Sequence, residues 1–355
     1  MSEEIVSGGR VPVYSANVYE EFGRIDKENM KDYSRPSVIW GIDGDWMVNI
    51  IPAGVPFYPT DHCGVLRIKT EKILPEYMMY ALQAEGEYER FSRNNRASAQ
   101  RIRSLVVQAP ETKIQKNIID ELKALDDKIN GQNAEIEKYE NSIRTKFDQI
   151  FHLEEFISDG VFSKYEGYSV EDLCIDGRGR VINQQYIENH KGPYPVYSSQ
   201  TTNDGIFGSI DTFDFDGEYI TWTTDGAKAG TVFYRNGKFN CTNVCGTLKA
   251  KNDKVNMRYL AYLLNRIAYK FVSRVGNNKL MNDAMKKIVV PVPKRQLQDE
   301  FADFVQSVEK SKFECIGKKE KFEIERILLS INISGEYIFD CRKGDCFEER
   351  RKKIN

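Results

Sequence analysis

The stretch Pro195-Val196-Tyr197-Ser198-Ser199-Gln200 returns an earlier one, Pro12-Val13-Tyr14-Ser15-Ala16-Asn17, and that return decides the fold. Self-similarity at a fixed spacing is the mark of a duplicated structural unit. Just downstream, Phe22-Gly23-Arg24-Ile25-Asp26 is echoed by Phe207-Gly208-Ser209-Ile210-Asp211. Trp40 with Asp43-Gly44 recurs 182 residues later as Trp222 with Asp225-Gly226. The same spacing carries Phe57 to Phe239, Cys63-Gly64 to Cys245-Gly246, Tyr77 to Tyr259 and Leu82 to Leu264. Val106-Val107, Pro110 and Gln115 then return as Val289-Val290, Pro293 and Gln298. The chain therefore holds two copies of one globular unit. The copies differ at their fronts. The second has a lead-in from Tyr168 to Lys191, with Val170-Glu171-Asp172-Leu173-Cys174 and Gly177-Arg178-Gly179-Arg180, whereas the first begins almost at its Pro12 motif. The first unit is thus expected to be short at its front, or completed by another segment or chain.

Within the second unit, Glu218 to Thr224 alternates and is rich in β-formers, which predicts a strand. Asp225-Gly226 predicts a turn. Asn236-Gly237, between Gly230–Arg235 and Lys238–Thr242, is the dipeptide preferred in a type I′ hairpin turn and predicts one here. Leu260, Leu263, Leu264, Ile267 and Phe271 fall at helical spacing across Met257 to Ser273. Each unit is therefore mixed α/β (α+β).

A different object follows each unit. Ile118, Leu122, Leu125, Ile129, Ile136, Tyr139 and Ile143 fall on alternating four- and three-residue steps, with Gln132 in the one polar position. That pattern on a Lys/Glu-rich background specifies a coiled-coil stripe. A helix from Ile118 to Ile150 would be roughly 48 Å long. Leu297, Phe301, Val305, Val308, Cys315 and Phe322 repeat the stripe less cleanly, with Gly317 interrupting it. Two stripes in one chain most simply bury each other as an antiparallel coiled coil; bundling against a partner is the competing arrangement. The expected division is a first globular domain over 1–110, a central helix over 111–155, a second globular domain over 156–293, a distal helix over 294–330 and a tail over 331–355.

At 355 residues with 41% apolar content, the chain can fill two cores. No window approaches the roughly 20 apolar residues of a membrane span, and Met1-Ser2-Glu3-Glu4 lacks the pattern of a signal peptide. Seven scattered cysteines argue against a disulfide framework, so a reduced cytoplasm is the expected home. A net charge of −2 argues against a protein that coats nucleic acid by bulk electrostatics, but not against a reader with its basic groups on one face.

The order of globular unit, Pro-containing segment with a following Gln, and long helix, all then repeated, resembles the specificity (S) subunit of type I restriction–modification enzymes. The paired Pro-Val-Tyr-Ser motifs, the Asp-Gly turns after tryptophan, and Pro293-Lys294-Arg295-Gln296-Leu297-Gln298 carry the resemblance. In the first copy the corresponding opening is the altered Pro110-Glu111-Thr112-Lys113-Ile114-Gln115. The resemblance implies two target-recognition domains, each gripping half of a gapped site in double-stranded DNA, with the helices as a ruler between them. It implies docking of two methyltransferase (M) subunits, which bring S-adenosylmethionine and the chemistry, with a restriction (R) subunit as an optional further member. This chain would carry no catalytic residue, no cofactor and no metal of its own.

Sequence reading requires side chains that reach base edges, and Asn and Gln can pair bidentately with adenine. The candidate DNA-binding residues are Tyr14, Ser15 and Asn17 with Tyr197, Ser198, Gln200 and Thr201. A second candidate pair is the loop Arg93, Asn94, Asn95 and Arg96 with its counterpart Asn277, Asn278 and Lys279. The competing roles are structural: the Asn pairs as helix-capping turns, the tyrosines as packing residues, and Trp40 and Trp222 as core. Catalytic readings are weaker. Glu121-Leu122-Lys123 fits a short nuclease motif, but Leu122 belongs to the helical stripe. No Asn-Pro-Pro-aromatic motif and no phosphate loop occurs. The spacings of Cys241/Cys245 and Cys341/Cys346 suggest zinc only loosely, without further ligands to complete a site. The alternative to DNA recognition is a coiled-coil scaffold whose globular units bind protein, to which the overall acidity lends weight.

Overall fold

The computed structural model describes residues 5–6, 8–151 and 165–334. Their contacts separate into two compact units, 1–135 with 314–355 and 136–313. Each unit combines one globular body with a part of both long helices. The division therefore cuts across the helices instead of setting them apart as domains.

In the second unit, six strands form one sheet in the order Ile206–Ile210, Lys191–Tyr197, Val232–Cys241, Phe215–Thr223, Cys245–Ala250 and Cys174–Arg178. The pairings are antiparallel except that between Val232–Cys241 and Lys191–Tyr197. The hairpin expected at Asn236-Gly237 does not form. Both residues lie inside strand Val232–Cys241, where Gly237 stands opposite Gly217 and each has a positive φ, 104° and 101°. The partner strand explains this. Phe215 lies opposite Phe239, their rings stacked at 5.1 Å, and Tyr219 packs on the same ring at 5.5 Å. Such cross-strand pairs outweigh a local turn preference, and the two glycines absorb the twist. Met257–Ile267 is helical as expected, but Ala268–Phe271 tightens to a 3-10 turn that leaves Phe271 exposed.

The first unit has the equivalent strands in two sheets of three. One has the order Gly23–Ile25, Val11–Tyr14, Tyr58–Pro59, the other Val48–Ile51, Ser37–Gly41, Cys63–Leu66. The strand that is continuous in the second copy is broken here between Ile51 and Tyr58, over Pro52-Ala53-Gly54-Val55-Pro56-Phe57. Each proline removes a ladder donor, and Gly54 takes a φ of +80°. Cys63–Leu66 pairs only with Ser37–Gly41 among the described residues, whereas its counterpart Cys245–Ala250 has the lead-in strand Cys174–Arg178 on its other edge.

The long helices run over Thr112–Phe151 and Arg295–Ser334, 40 residues each. They pair antiparallel within each unit. In the first, Arg326 Nε contacts Asp126 at 2.5 Å while Cys315 Sγ lies 3.0 Å from Gln132 Oε1. In the second, Lys146 Nζ meets Glu300 at 2.9 Å, and Lys312 pairs with Glu140. Leu122, Leu125, Ile143, Phe301, Val305 and Val308 are buried, and Ile118, Ile129, Ile136 and Tyr139 are half-buried. The stripe is also wider than heptad spacing alone predicts. Ile119, not Ile118, is the residue sealed against Tyr77, Tyr80 and Ala81 of the first body, because the helix must cover that body as well as its helical partner. Phe147, Phe151 and Phe301 do the same in the second, with Phe151 4.8 Å from the Tyr259 ring. Gly317 is exposed and does not interrupt its helix. Residues 152–155 of the expected central helix, residues 335–355 of the expected tail, and Cys341 and Cys346 lie outside the described residues.

A buried glutamine joins body to helix in each copy. Gln115 accepts from the Leu74 N–H at 2.8 Å and donates to the carbonyls of Lys72 and Pro110 at 2.7 and 2.6 Å. Gln298 repeats this with the Asn256 N–H at 2.8 Å and the carbonyls of Lys254 and Pro293 at 3.2 and 2.8 Å. Both side chains are fully buried.

Candidate nucleic-acid interface

A Trp–Gly cross-strand pair organises each site. Trp40 lies opposite Gly64 and Trp222 opposite Gly246. The indoles lie flat over these glycines, so that a Cβ on either would fall 2.1 or 2.3 Å from the ring. Both tryptophans are buried core residues, not exposed stacking platforms. Each indole N–H donates at 2.8 Å to a loop carbonyl, Trp40 to Ala97 and Trp222 to Leu280. The amides of the same two loop residues donate at 2.9 Å to Ile42 and Thr224, one residue before the Asp-Gly turns. A core residue thus pins the two polar loops, Arg93–Arg96 and Asn277–Lys279, beside those turns.

The turn carboxylates complete the connection. Asp43 accepts from Arg96 Nη2 at 3.0 Å and from His62 Nδ1 at 2.9 Å. Asp225 sits 3.6 Å from Lys279 Nζ and 3.6 Å from Arg178 Nη2, and accepts from the Thr224 hydroxyl at 2.7 Å. The first sequence motif arrives on the neighbouring strand. Thr60 donates to the Ser15 hydroxyl at 3.2 Å, and Thr242 to that of Ser198 at 3.1 Å. In the first unit, Ser15, Ala16, Asp43, Gly44, His62, Arg93 and Arg96 line one open cleft of about 560 Å³. In the first unit, Ser15 of one candidate group and Arg93 and Arg96 of the other thus line the same cleft.

Not every candidate is equally free to read a ligand. Tyr14 and Tyr197 are half-buried against Phe57 and Phe239, with centroids at 6.3 and 5.7 Å, and burial pushes both hydroxyls above their ordinary pKa. They stay neutral. The Asn17 side chain accepts from the amides of Tyr19 and Glu20 at 3.0 and 3.3 Å, holding its own turn. The Gln200 amide donates to the Ile206 carbonyl. Asn95 donates to the carbonyls of Glu89 and Arg90 at 2.8 and 3.0 Å, and the Asn278 carbonyl accepts from the Gly226 amide at 3.1 Å. Arg93, Asn94 and Asn277 are exposed, and Thr201 is half-buried.

Sequence reasoning missed Arg235. Its guanidinium is buried, 4% exposed, and stacks 3.7 Å from the Tyr197 ring centroid. It reaches the Asp204 carboxylate at 2.5 Å and the Asp204 carbonyl at 2.7 Å. Asn203 and Asp204 both hold left-handed φ values, 49° and 51°, a conformation that non-glycine residues adopt at a cost. Arg235 thereby fastens the strained loop after Gln200-Thr201 to the sheet. We expect Arg235→Met to cost about 2 kcal/mol, the scale of breaking a charge-assisted contact whose other partner stays solvated. Hydrogen exchange at residues 201–206 would rise; unchanged protection there would contradict the tether. Composition offered one signal for this role, an arginine in the middle of a strand otherwise rich in aromatics. His62, Arg178 and the two turn carboxylates were also missed as partners, because their pairing is long-range.

Cys241 and Cys245 lie with sulfurs 3.6 Å apart and are buried, and no cluster of three or more His, Cys, Asp or Glu suited to a metal occurs among the described residues. Among the same residues no helix is long and apolar enough to cross a membrane.

A duplicated α+β body, each copy carrying a polar loop, a turn carboxylate and a Tyr-Ser strand end around one core tryptophan, defines a tandem recognition protein. The family described as type I restriction modification DNA specificity domain matches residues 2–138 and 163–326, and the chain belongs to that family. It is 48% identical over 147 residues to the type I restriction enzyme MpnII specificity subunit of Mycoplasma pneumoniae, covering 41% of this chain and 44% of that one. A second protein of that organism, provisionally named type I specificity subunit S.MpnORF365P, is 39% identical over 212 residues, 59% of this chain and 77% of its own length. The fold matches the crystal structure of a type I restriction–modification S subunit from M. genitalium with a TM-score of 0.59 at 17% identity, covering 94% of this chain and 91% of that one.

Proposed function

We propose that this chain reads a bipartite, gapped sequence in double-stranded DNA, one half-site per globular body, for a type I restriction–modification complex. The observation that carries this reading is the doubled arrangement: the same Trp-pinned loop and Asp-Gly turn occur twice, with different polar side chains on each. Two similar readers joined by continuous helices suit half-sites set about one helical turn apart, where the same groove faces both. The chain is the non-catalytic recognition subunit. The chemistry belongs to methyltransferase (M) subunits that dock on it and bind S-adenosylmethionine, two copies matching the two bodies, and a restriction (R) subunit can extend the complex. The acidic net charge fits a division in which partners supply part of the phosphate-binding charge.

The test is a reconstituted complex with its methyltransferase partner. Exchanging residues 168–290 for those of another recognition unit is expected to change one half of the methylated sequence and leave the other intact. Affinity for specific DNA should also fall steeply with salt, because phosphate contacts release counterions. Methylation without sequence preference, or a swap that alters both halves, would refute this reading.

A further inference from the structure

The two copies act as an internal control on which cleft residues position DNA and which select its sequence. The pinned loops align through their indole contacts, Ala97 with Leu280, so that Arg96 stands where Lys279 does, Asn95 with Asn278, Asn94 with Asn277 and Arg93 with Gly276. The cation nearest the turn is kept in both copies and in both faces the turn carboxylate, Arg96 on Asp43 at 3.0 Å and Lys279 on Asp225 at 3.6 Å. A feature shared by readers of different half-sites serves what the halves have in common, the phosphate backbone and the shape of the loop. A feature present in one copy alone serves what differs between them.

Arg93 differs between the copies in its place: it directly precedes Asn94-Asn95, whereas the second copy's arginine, Arg274, is set two residues further back by the inserted Val275-Gly276. Arg93 lines the first unit's cleft together with Ser15 and His62, and it is exposed. His62 and Arg96 are both committed to Asp43. Arg93 makes no hydrogen bond or ion pair with any described residue, so its full guanidinium fork faces the cleft uncommitted. A free planar fork matches one base edge above the others, the O6 and N7 acceptors of guanine in the major groove. At the matching position the second copy has Gly276, exposed, with a φ of +76° and no side chain to offer.

We propose that Arg93 reads a guanine in the half-site bound by the first unit, a contact for which the second unit has no counterpart at Gly276. The inference rests on the DNA-recognition reading above and adds to it the base and the residue.

The experiment uses the full chain with its methyltransferase partner and compares wild type, Arg93→Ala and Arg93→Lys. Methylated sites are mapped, and binding is measured on duplexes varied at each position of the two half-sites. One guanine position in one half-site should lose discrimination by about 5- to 150-fold in Arg93→Ala, the range of a single bidentate base contact. The other half-site should keep its sequence. Arg93→Lys keeps the charge but not the fork, so it should retain the salt dependence yet lose the same discrimination. Replacing that guanine by 7-deazaguanine, which lacks the N7 acceptor, should weaken wild-type binding and leave Arg93→Ala unaffected. Uniform weakening across all sequences in Arg93→Ala, with a shallower salt slope and full specificity in Arg93→Lys, would identify a phosphate contact and overturn the proposal. Unaltered discrimination in both variants would overturn it as well. A wild-type complex with no sequence preference would instead reject the recognition reading, and this inference with it.

Discussion

Gln298→Leu is expected to destabilise the second unit by about 3 kcal/mol, although the substitution exchanges one side chain for another of similar volume. The cost arises from what is left behind. Gln298 is fully buried and satisfies the Asn256 amide and the carbonyls of Lys254 and Pro293. A leucine would strand these groups, and each buried group that loses its only partner costs about 1–3 kcal/mol. The Lys254 carbonyl belongs to an exposed residue and can turn to water, which holds the sum near the lower end. The joint has a mechanical role too. It ties the segment entering helix Met257–Ile267 to the first turns of Arg295–Ser334. The urea midpoint of the full chain should fall, and amide exchange should accelerate around Asn256 and Pro293. A Gln298→Leu protein within about 1 kcal/mol of the parent would show that the joint is dispensable. Gln115→Leu should behave likewise in the first unit, since its three contacts are at least as short.

Gly246→Ala should be equally damaging through sterics. The added Cβ would sit 2.3 Å from the Trp222 ring, closer than any real carbon contact, and Trp222 is fully buried and cannot retreat. Overpacking costs about 1–3 kcal/mol. Displacing the indole also breaks its hydrogen bond to Leu280, for a combined loss of roughly 3–5 kcal/mol. That bond anchors the Asn277–Lys279 loop, so sequence reading should fail in the second half-site before the fold is lost. Thermal melting, tryptophan emission and the methylation pattern would follow the three effects separately. Wild-type melting with an intact second half-site would disprove the role given to the Trp–Gly pair. The same substitution at Gly64, 2.1 Å from Trp40, should impair only the first half-site.

Much of this architecture was legible in the residues. The spacing from Trp40 to Trp222 and from Gln115 to Gln298 announced a duplication, and the apolar steps from Ile118 to Ile143 announced a long helix. The Tyr-Ser motif and the Asn-containing loops stood out as two separate candidate groups; that Ser15 of one and Arg93 and Arg96 of the other line one cleft in the first unit was not legible, because they lie far apart in the chain. What each candidate side chain does there was not legible. Asn17, Asn95 and Gln200 look on paper like ideal adenine readers, and all three spend their amides on local backbone. Arg93 and Arg96 are two residues of one type in one loop, yet one is spent on Asp43 and the other is not.

The sequence by itself determined the two-copy plan, the class of each unit and the helices that follow, because periodicity and repetition are local properties repeated often enough to exceed chance. Only the tertiary structure decided how the copies differ. Asn236-Gly237 runs straight through a strand because Phe215 and Tyr219 on the neighbouring strand hold Phe239 in register. The same strand is broken in the first copy, where two prolines deny the ladder its donors and Gly54 turns the backbone to a positive φ. Arg235 is buried because Asp204 and Tyr197 meet it from distant parts of the chain. The physical reason is common to all three. A local preference is worth about 1 kcal/mol, while a cross-strand ring pair or a desolvated guanidinium gathers several partners at once, and which partners those are is known only when the chain has closed on itself.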